Sequence, residues 1–325
     1  MKITRRTLLG SMAAAASFGP AYAASSGDGW PDRPVKMISP YGPGGASDIS
    51  LRILADQFER RLGKKFFVEN KPGAGTRIAN ETVAHADPDG YTFLYAAAPY
   101  STAEALYGKL SYDPHKDLRP VSMVILASIF LIVNAKAPYK TLDEFIAYGK
   151  SKPEGLTFAS PGAGSRPHLA GELLLKTTGT KGISVQFRGD ATAYTELLAG
   201  RVDATFSAIS AALPHIKAGT LRVLGCASAQ RSAVYPEAPT LVEQGQDIVA
   251  DGWYGFLAPA ATPTPIVDKM QAEINHALSD DSVKQKLLAQ GLETHYLPGP
   301  EFGAFIDDES KKWGKIIEEA GLKQP

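Results

Sequence analysis

Apolar residues along the chain switch between two periods. Short runs such as "VKMIS", "KKFFVEN" and "YTFLYAAA" read as strands, and between them apolar residues recur every three or four positions. From Asp48 to Leu62 the stripe is Leu51, Leu54, Ala55, Phe58 and Leu62, which predicts an amphipathic helix. A small-residue helix is expected through "RIANETVAHA". "DPDG" reads as a turn, because Pro88 presets φ and Gly90 tolerates positive φ. Strands alternating with helices imply a largely parallel α/β sheet with right-handed crossovers.

The rhythm changes at "VSMVILASIFLIVNAKAPYK", where two β-rich runs are separated only by "LAS". That break can carry the chain into a second lobe. A second series follows: strand "LTFAS", helix "RPHLAGELLLKTTG", strand "ISVQF", helix "ATAYTELLAG", strand "VDATF", helix "SAALPHIKAG" and strand "LRVLGCAS". "VADGWYGFLAPAATPTP" returns as an apolar strand and ends in a proline-rich linker. From Ile266 to Leu322 the pattern is helical, with Ile266, Met270, Ile274 and Leu278 at steps of four. The expected architecture is two α/β lobes, residues 24–123 with 250–325 and residues 124–249. Two crossovers join them, the C-terminal helices pack back on the first lobe, and the ligand cleft lies between the lobes.

The start of the chain belongs to neither lobe. Arg5 and Arg6 precede a short apolar stretch, and "AYA" ends at Ala23. This reads as a secretory signal peptide cleaved after Ala23, by the twin-arginine or the ordinary Sec route, giving a periplasmic protein. Nothing later offers the roughly 18 uncharged apolar residues of a membrane span. Without Lys2, Arg5 and Arg6 the mature chain holds 31 basic and 34 acidic residues. That balance argues against a nucleic-acid partner or an anionic membrane surface. Cys226, the only cysteine, sits in an apolar run, so an internal disulfide is impossible and a buried inert thiol is expected.

Two glycine turns carry the candidate chemistry. "GPGGASD" and "SPGAGSRPH" each follow a strand and open a helix. A helix start has unpaired N–H groups and a positive dipole end, and glycine lets an anion reach them. No metal spacing such as CxxC or HExxH occurs, and Ser165 lacks the following glycine of a GxSxG elbow. No cofactor is expected. Trp253 and Tyr254 fall in the return crossover, where core packing is the default reading.

The ordered set "RPVKMISPYGPGGASD", "FFVENKPGAGT", "ADPDGYT", "SPGAGSRPHLAGELL", "VQFRGDATAYTELLAGRVDATF" and "WYGFLAPAATPTPIV" resembles the Bug family over essentially the whole mature chain. These are the extracytoplasmic substrate-binding receptors of tripartite tricarboxylate transporters. The resemblance implies the type II periplasmic binding fold and no catalysis. It also implies a small carboxylate ligand (dicarboxylic, citrate-like, amino or aromatic acid) and membrane transporter subunits as partners. A monomer is expected. The family grips a carboxylate mainly through main-chain donors, which points here to Tyr41, Gly44, Gly45 and Ser47 in the first turn. The second turn offers Ser160, Gly164, Ser165 and His168, and "FRGDAT" adds Arg188, Gly189, Asp190, Ala191 and Thr192.

Individual residues have plainer roles as well. Asp48 either caps its own turn or meets the ligand, and His168 either holds its turn or acts as a base. Arg188 is a positive partner or a solvated arginine, and Tyr100 faces the cleft or the core. Arg166 and Pro167 fill places that vary among relatives. A secreted hydrolase acting on a small acid is the alternative function, but no nucleophile–base–orienter set is assembled in the sequence.

Overall fold

The computed structural model describes residues 29–187, 190–209, 212–319 and 321–323. The first series runs β1 (Val35–Ser39), α1 (Ala46–Leu62), β2 (Phe66–Asn70), α2 (Arg77–Ala84) and β3 (Thr92–Ala97). A 3-10 turn at Ala98–Thr102 leads into the short α3 (Ala103–Tyr107), then β4 (Leu118–Ala127). The second series is β5 (Phe130–Asn134), α4 (Leu142–Ser151), β6 (Leu156–Ser160), α5 (Arg166–Thr178), β7 (Gly182–Gln186), α6 (Asp190–Leu198), β8 (Ala204–Ser207), α7 (Leu213–Lys217) and β9 (Leu221–Cys226). The chain returns through β10 (Gly252–Pro259) and closes with α8 (Thr264–Ser279), α9 (Asp281–Ala289), β11 (Glu293–Pro298) and α10 (Gly299–Glu319).

Two sheets result, ordered β2-β1-β3-β10-β4-β11 and β7-β6-β8-β5-β9. They are mixed rather than largely parallel. β1 is parallel to β2 and β3, and β6 to β7 and β8, as βαβ crossovers require. The strands arriving from the other lobe, β10 and β5, each insert antiparallel between the third and last strands of the series they join. This shared order is that of the type II periplasmic binding fold. The chain leaves the first sheet at Ala127 and enters the second at Phe130, then returns at Gly252.

Local sequence explains the helix ends. α1 stops at Gly63, whose φ of 67° lets its N–H close on the Glu59 carbonyl. Leu51, Leu54 and Phe58 of the predicted stripe are fully buried under the first sheet, each contributing about 1.5–3 kcal/mol. α4 starts with a capping box, Thr141 accepting from Glu144 N–H and Glu144 reaching back.

The C-terminal region departs from the expected all-helical pattern in two ways. β11 pairs antiparallel with β4 at the sheet edge, and its half-exposed residues carry no apolar run that would announce a strand. α10 also spans both lobes. Phe302 and Ile306 pack with Met123 and Trp253, whereas Trp313 and Ile317 enter the second-lobe cluster around Phe158 and Leu169.

Candidate functional site

The lobes enclose a cleft lined from both sides. Tyr41, Gly45 and Ser47 from the first turn line it, with Ser165 from the second. A wider mouth continues past Gly73–Thr76 to Gln186 and Phe187. The lobes touch beside the cleft, where the Thr102 hydroxyl donates to the Gly164 carbonyl at 3.1 Å.

The two glycine turns are not equivalent. Gly45 is the N-cap of α1, extended at φ −89° and ψ 175°, and no side chain caps the helix. Its first intrahelical bond is Ile49 N–H to the Gly45 carbonyl. The α1 start therefore presents main-chain donors to the cleft. Asp48 leaves those donors alone: it accepts from Gly44 N–H (3.1 Å), Arg52 and Asn70. Burial would raise its pKa, but these donors outweigh burial and hold the carboxyl below its usual range. Asn70 also donates to the Tyr41 carbonyl, bracing the turn from β2.

The second turn spends its donors internally. Ser165 donates to the Gly162 carbonyl at 2.6 Å and accepts from His168 N–H. Gly164 N–H donates to His168 Nδ1 at 3.1 Å, so the imidazole holds the turn in shape, and burial lowers its pKa. Pro167 has no N–H to offer. Ser160 bonds Gln186 and the Gly162 carbonyl.

Other expected site residues lie elsewhere. Gly44, with φ 85°, sits behind the lining residue Gly45. Tyr100 is in the first-lobe core, its hydroxyl donating to the Pro114 carbonyl at 2.5 Å, and burial pushes the phenol well above its usual range. Its neighbour Pro99 reaches the cleft instead. Arg188 and Gly189 lie outside the described residues. Asp190 and Ala191 start α6, and Thr192 on that helix is exposed.

Three further residues line the cleft beyond those the glycine turns predict. Trp253 and Tyr254 both line the cleft at the returning strand, and Trp253 is also in the first-lobe core as expected. Tyr254 stacks on Tyr95 and Trp253 meets Phe302 edge-on. Arg166, noted only as a variable place, is 1% exposed and lines the cleft. It pairs with Glu309 of α10, donates through Nε to the Asp251 carbonyl, and lies over Trp313. Burial draws its pKa down to about 10 despite Glu309, leaving it charged at neutral pH.

Comparison with known proteins fits this geometry. The family profile "Tripartite tricarboxylate transporter family receptor" matches residues 50–322. The chain belongs to that family. Protein BugT of Bordetella pertussis (strain Tohama I) is 35% identical over 301 residues, 92% of each chain. The periplasmic binding protein BugD superposes with a TM-score of 0.86 at 29% identity, covering 91% of this chain and all of that one. MatC from Rhodopseudomonas palustris with bound malate gives a TM-score of 0.81 at 31% identity over 89% of this receptor and all of that chain.

Asp251 gives the receptor a measurable pH signature at the second crossing between lobes. Burial raises its pKa to about 6, against the opposing donation from Ser228 and the charge of Lys312. The folded chain thus holds this proton more tightly than the unfolded chain, so stability falls as pH rises from about 4 through 6. Asp251→Asn is expected to stabilise the receptor at pH 7.5 by at most about 2–3 kcal/mol. The advantage should vanish toward pH 4. Urea midpoints across that range read it, and a pH-independent difference would refute the assignment.

Proposed function

We propose that this receptor works in the periplasm, closing two lobes on a small organic carboxylate and presenting it to the membrane subunits of a tripartite tricarboxylate transporter. The observation that carries this reading is the uncapped start of α1, open to the cleft at Gly45 and Ser47. Such a helix start favours an anion without a formal charge beside it. The malate bound by MatC supports a carboxylate as the ligand class. Tyr41, Gly45, Ser47 and Ser165 are the proposed contacts from the two turns. The grip is uneven, with the first turn supplying the main-chain donors and the second supplying shape.

Titration calorimetry with mono-, di- and tricarboxylic, amino and aromatic acids tests this reading. One site per chain is expected, and a ligand at 100 times its Kd adds about 2.7 kcal/mol of stability. Methyl esters lacking every free carboxylate should bind far more weakly. Equal binding of ester and acid would refute helix-start capture. Recovery of the acid unchanged after long incubation is the receptor outcome, and its conversion would mark a hydrolase.

Among the described residues no helix is long and apolar enough to cross a membrane. Export by a signal cleaved after Ala23 predicts a periplasmic product beginning at Ala24. Intact-mass measurement reads this directly, and retention of Met1–Ala23 on the exported protein would overturn it. Lysine at both Arg5 and Arg6 should block export on the twin-arginine route, whereas normal export of that variant would assign Sec.

A further inference from the structure

Arg166 and Trp253 share a feature that the carboxylate grip leaves unused. The Arg166 guanidinium gives Nε to the Asp251 carbonyl and Nη2 to Glu309 and Ser101. Its Nη1 is buried and meets no acceptor among the described residues, and the same holds for the indole Nε1 of Trp253. Both side chains are 1% exposed, and both line the cleft. Buried polar groups are nearly always paired, so two orphaned donors on residues that line one cleft point to a missing acceptor.

The surroundings narrow what that acceptor is. Arg166 is already balanced by Glu309, and the Asp251 carboxyl lies at the same crossing. The wall therefore offers hydrogen bonds without surplus positive charge. Nearby lining residues Ala127, Ile129, Ala208 and Gly252 bring no side-chain donor or acceptor. A second ionised group would lose its water beside Glu309 with nothing left to neutralise it. An oxo oxygen needs only the two N–H groups.

We propose that Arg166 Nη1 and Trp253 Nε1 form a specificity subsite for an uncharged acceptor oxygen, so that the receptor selects carboxylic acids carrying an oxo group along the chain. The inference rests on the carboxylate-receptor reading and names the ligand class within it.

The test is a calorimetric comparison of matched acids: pentanoate with 4-oxopentanoate, hexanoate with 5-oxohexanoate, heptanoate with 6-oxoheptanoate, and adipate as the charged counterpart. At one chain length or more the oxo acid should bind at least about tenfold tighter than its parent, because a site built to hydrogen-bond rejects the analogue lacking the acceptor. Adipate should bind no tighter than the best oxo acid. Trp253→Phe keeps the ring and removes Nε1, and it should shrink the oxo-to-parent ratio to about threefold or less. The double variant Arg166→Met with Glu309→Leu should do the same without leaving either charge unpaired. No oxo preference at any length, or a preference that survives both variants, overturns the subsite while the carboxylate reading stands. Adipate outbinding every oxo acid overturns the neutral-acceptor assignment. Failure of every acid to bind refutes the carboxylate reading itself, and the subsite falls with it.

Discussion

Gly45→Val is expected to weaken carboxylate binding by about 100-fold or more while leaving the fold near wild-type stability. Gly45 already has extended backbone, φ −89° and ψ 175°, a region that valine favours. The new branched Cβ would stand at the α1 start where the cleft meets main-chain donors. Losing one or two hydrogen bonds to a charged group removes about 1.5–3 kcal/mol each, or roughly 10- to 150-fold per bond. Gly44→Val is the control with the opposite signature. Gly44 has φ 85° and gives its N–H to Asp48, so a branched residue there strains the backbone by about 1–2 kcal/mol and loosens the turn. Calorimetry and urea unfolding on both variants separate the effects. Wild-type affinity in a folded Gly45→Val would remove the α1 start from the ligand site. Ser165→Ala is a weaker probe of ligand contact, since that hydroxyl's proton is committed to the Gly162 carbonyl.

The parts of the fold legible in the sequence are those written in local periodicity. The α1 stripe, the β1 and β6 runs and both glycine turns lie where their patterns predict, because each depends on neighbours a few positions away. What escaped depends on distant partners. Nothing local distinguishes β10 as antiparallel, because its orientation follows from where the chain returns. β11 lacks an apolar run since it lies half exposed on an edge. α4 has no counterpart in the series read from the sequence, although the "TLDE" capping box at Thr141 is a usable local sign of it. Tyr100 illustrates the limit at the site: its strand-end position allowed the cleft, and only the distant Pro114 carbonyl fixes it in the core. Trp253 is core and cleft wall at once, an overlap that apolarity cannot express. Arg166 is the sharpest case. A charged residue at a helix start reads as solvated, and its burial depends on a carboxylate 143 positions later.

That distant ion pair carries the second large expectation. Glu309→Ala should destabilise the receptor by about 3–5 kcal/mol, because it strands a buried cation. Arg166 is 1% exposed and its partner Glu309 14%, too little water to replace the lost carboxylate. Glu309 also accepts from the Trp313 indole N–H at 3.1 Å, and the guanidinium lies 4.3 Å from that ring centroid. The substitution therefore strikes where α10 passes from the first-lobe core to the second. Removing both charges should hurt much less, since hydrophobic replacement of a buried pair is often neutral or stabilising. Arg166→Met with Glu309→Leu is accordingly expected within about 1–2 kcal/mol of wild type. The difference between the double variant and the sum of Arg166→Met and Glu309→Leu made singly measures the coupling, read from urea midpoints at neutral pH. A Glu309→Ala protein that unfolds at the wild-type urea concentration would mean that water reaches the guanidinium and that α10 does not depend on the pair to hold the lobes together.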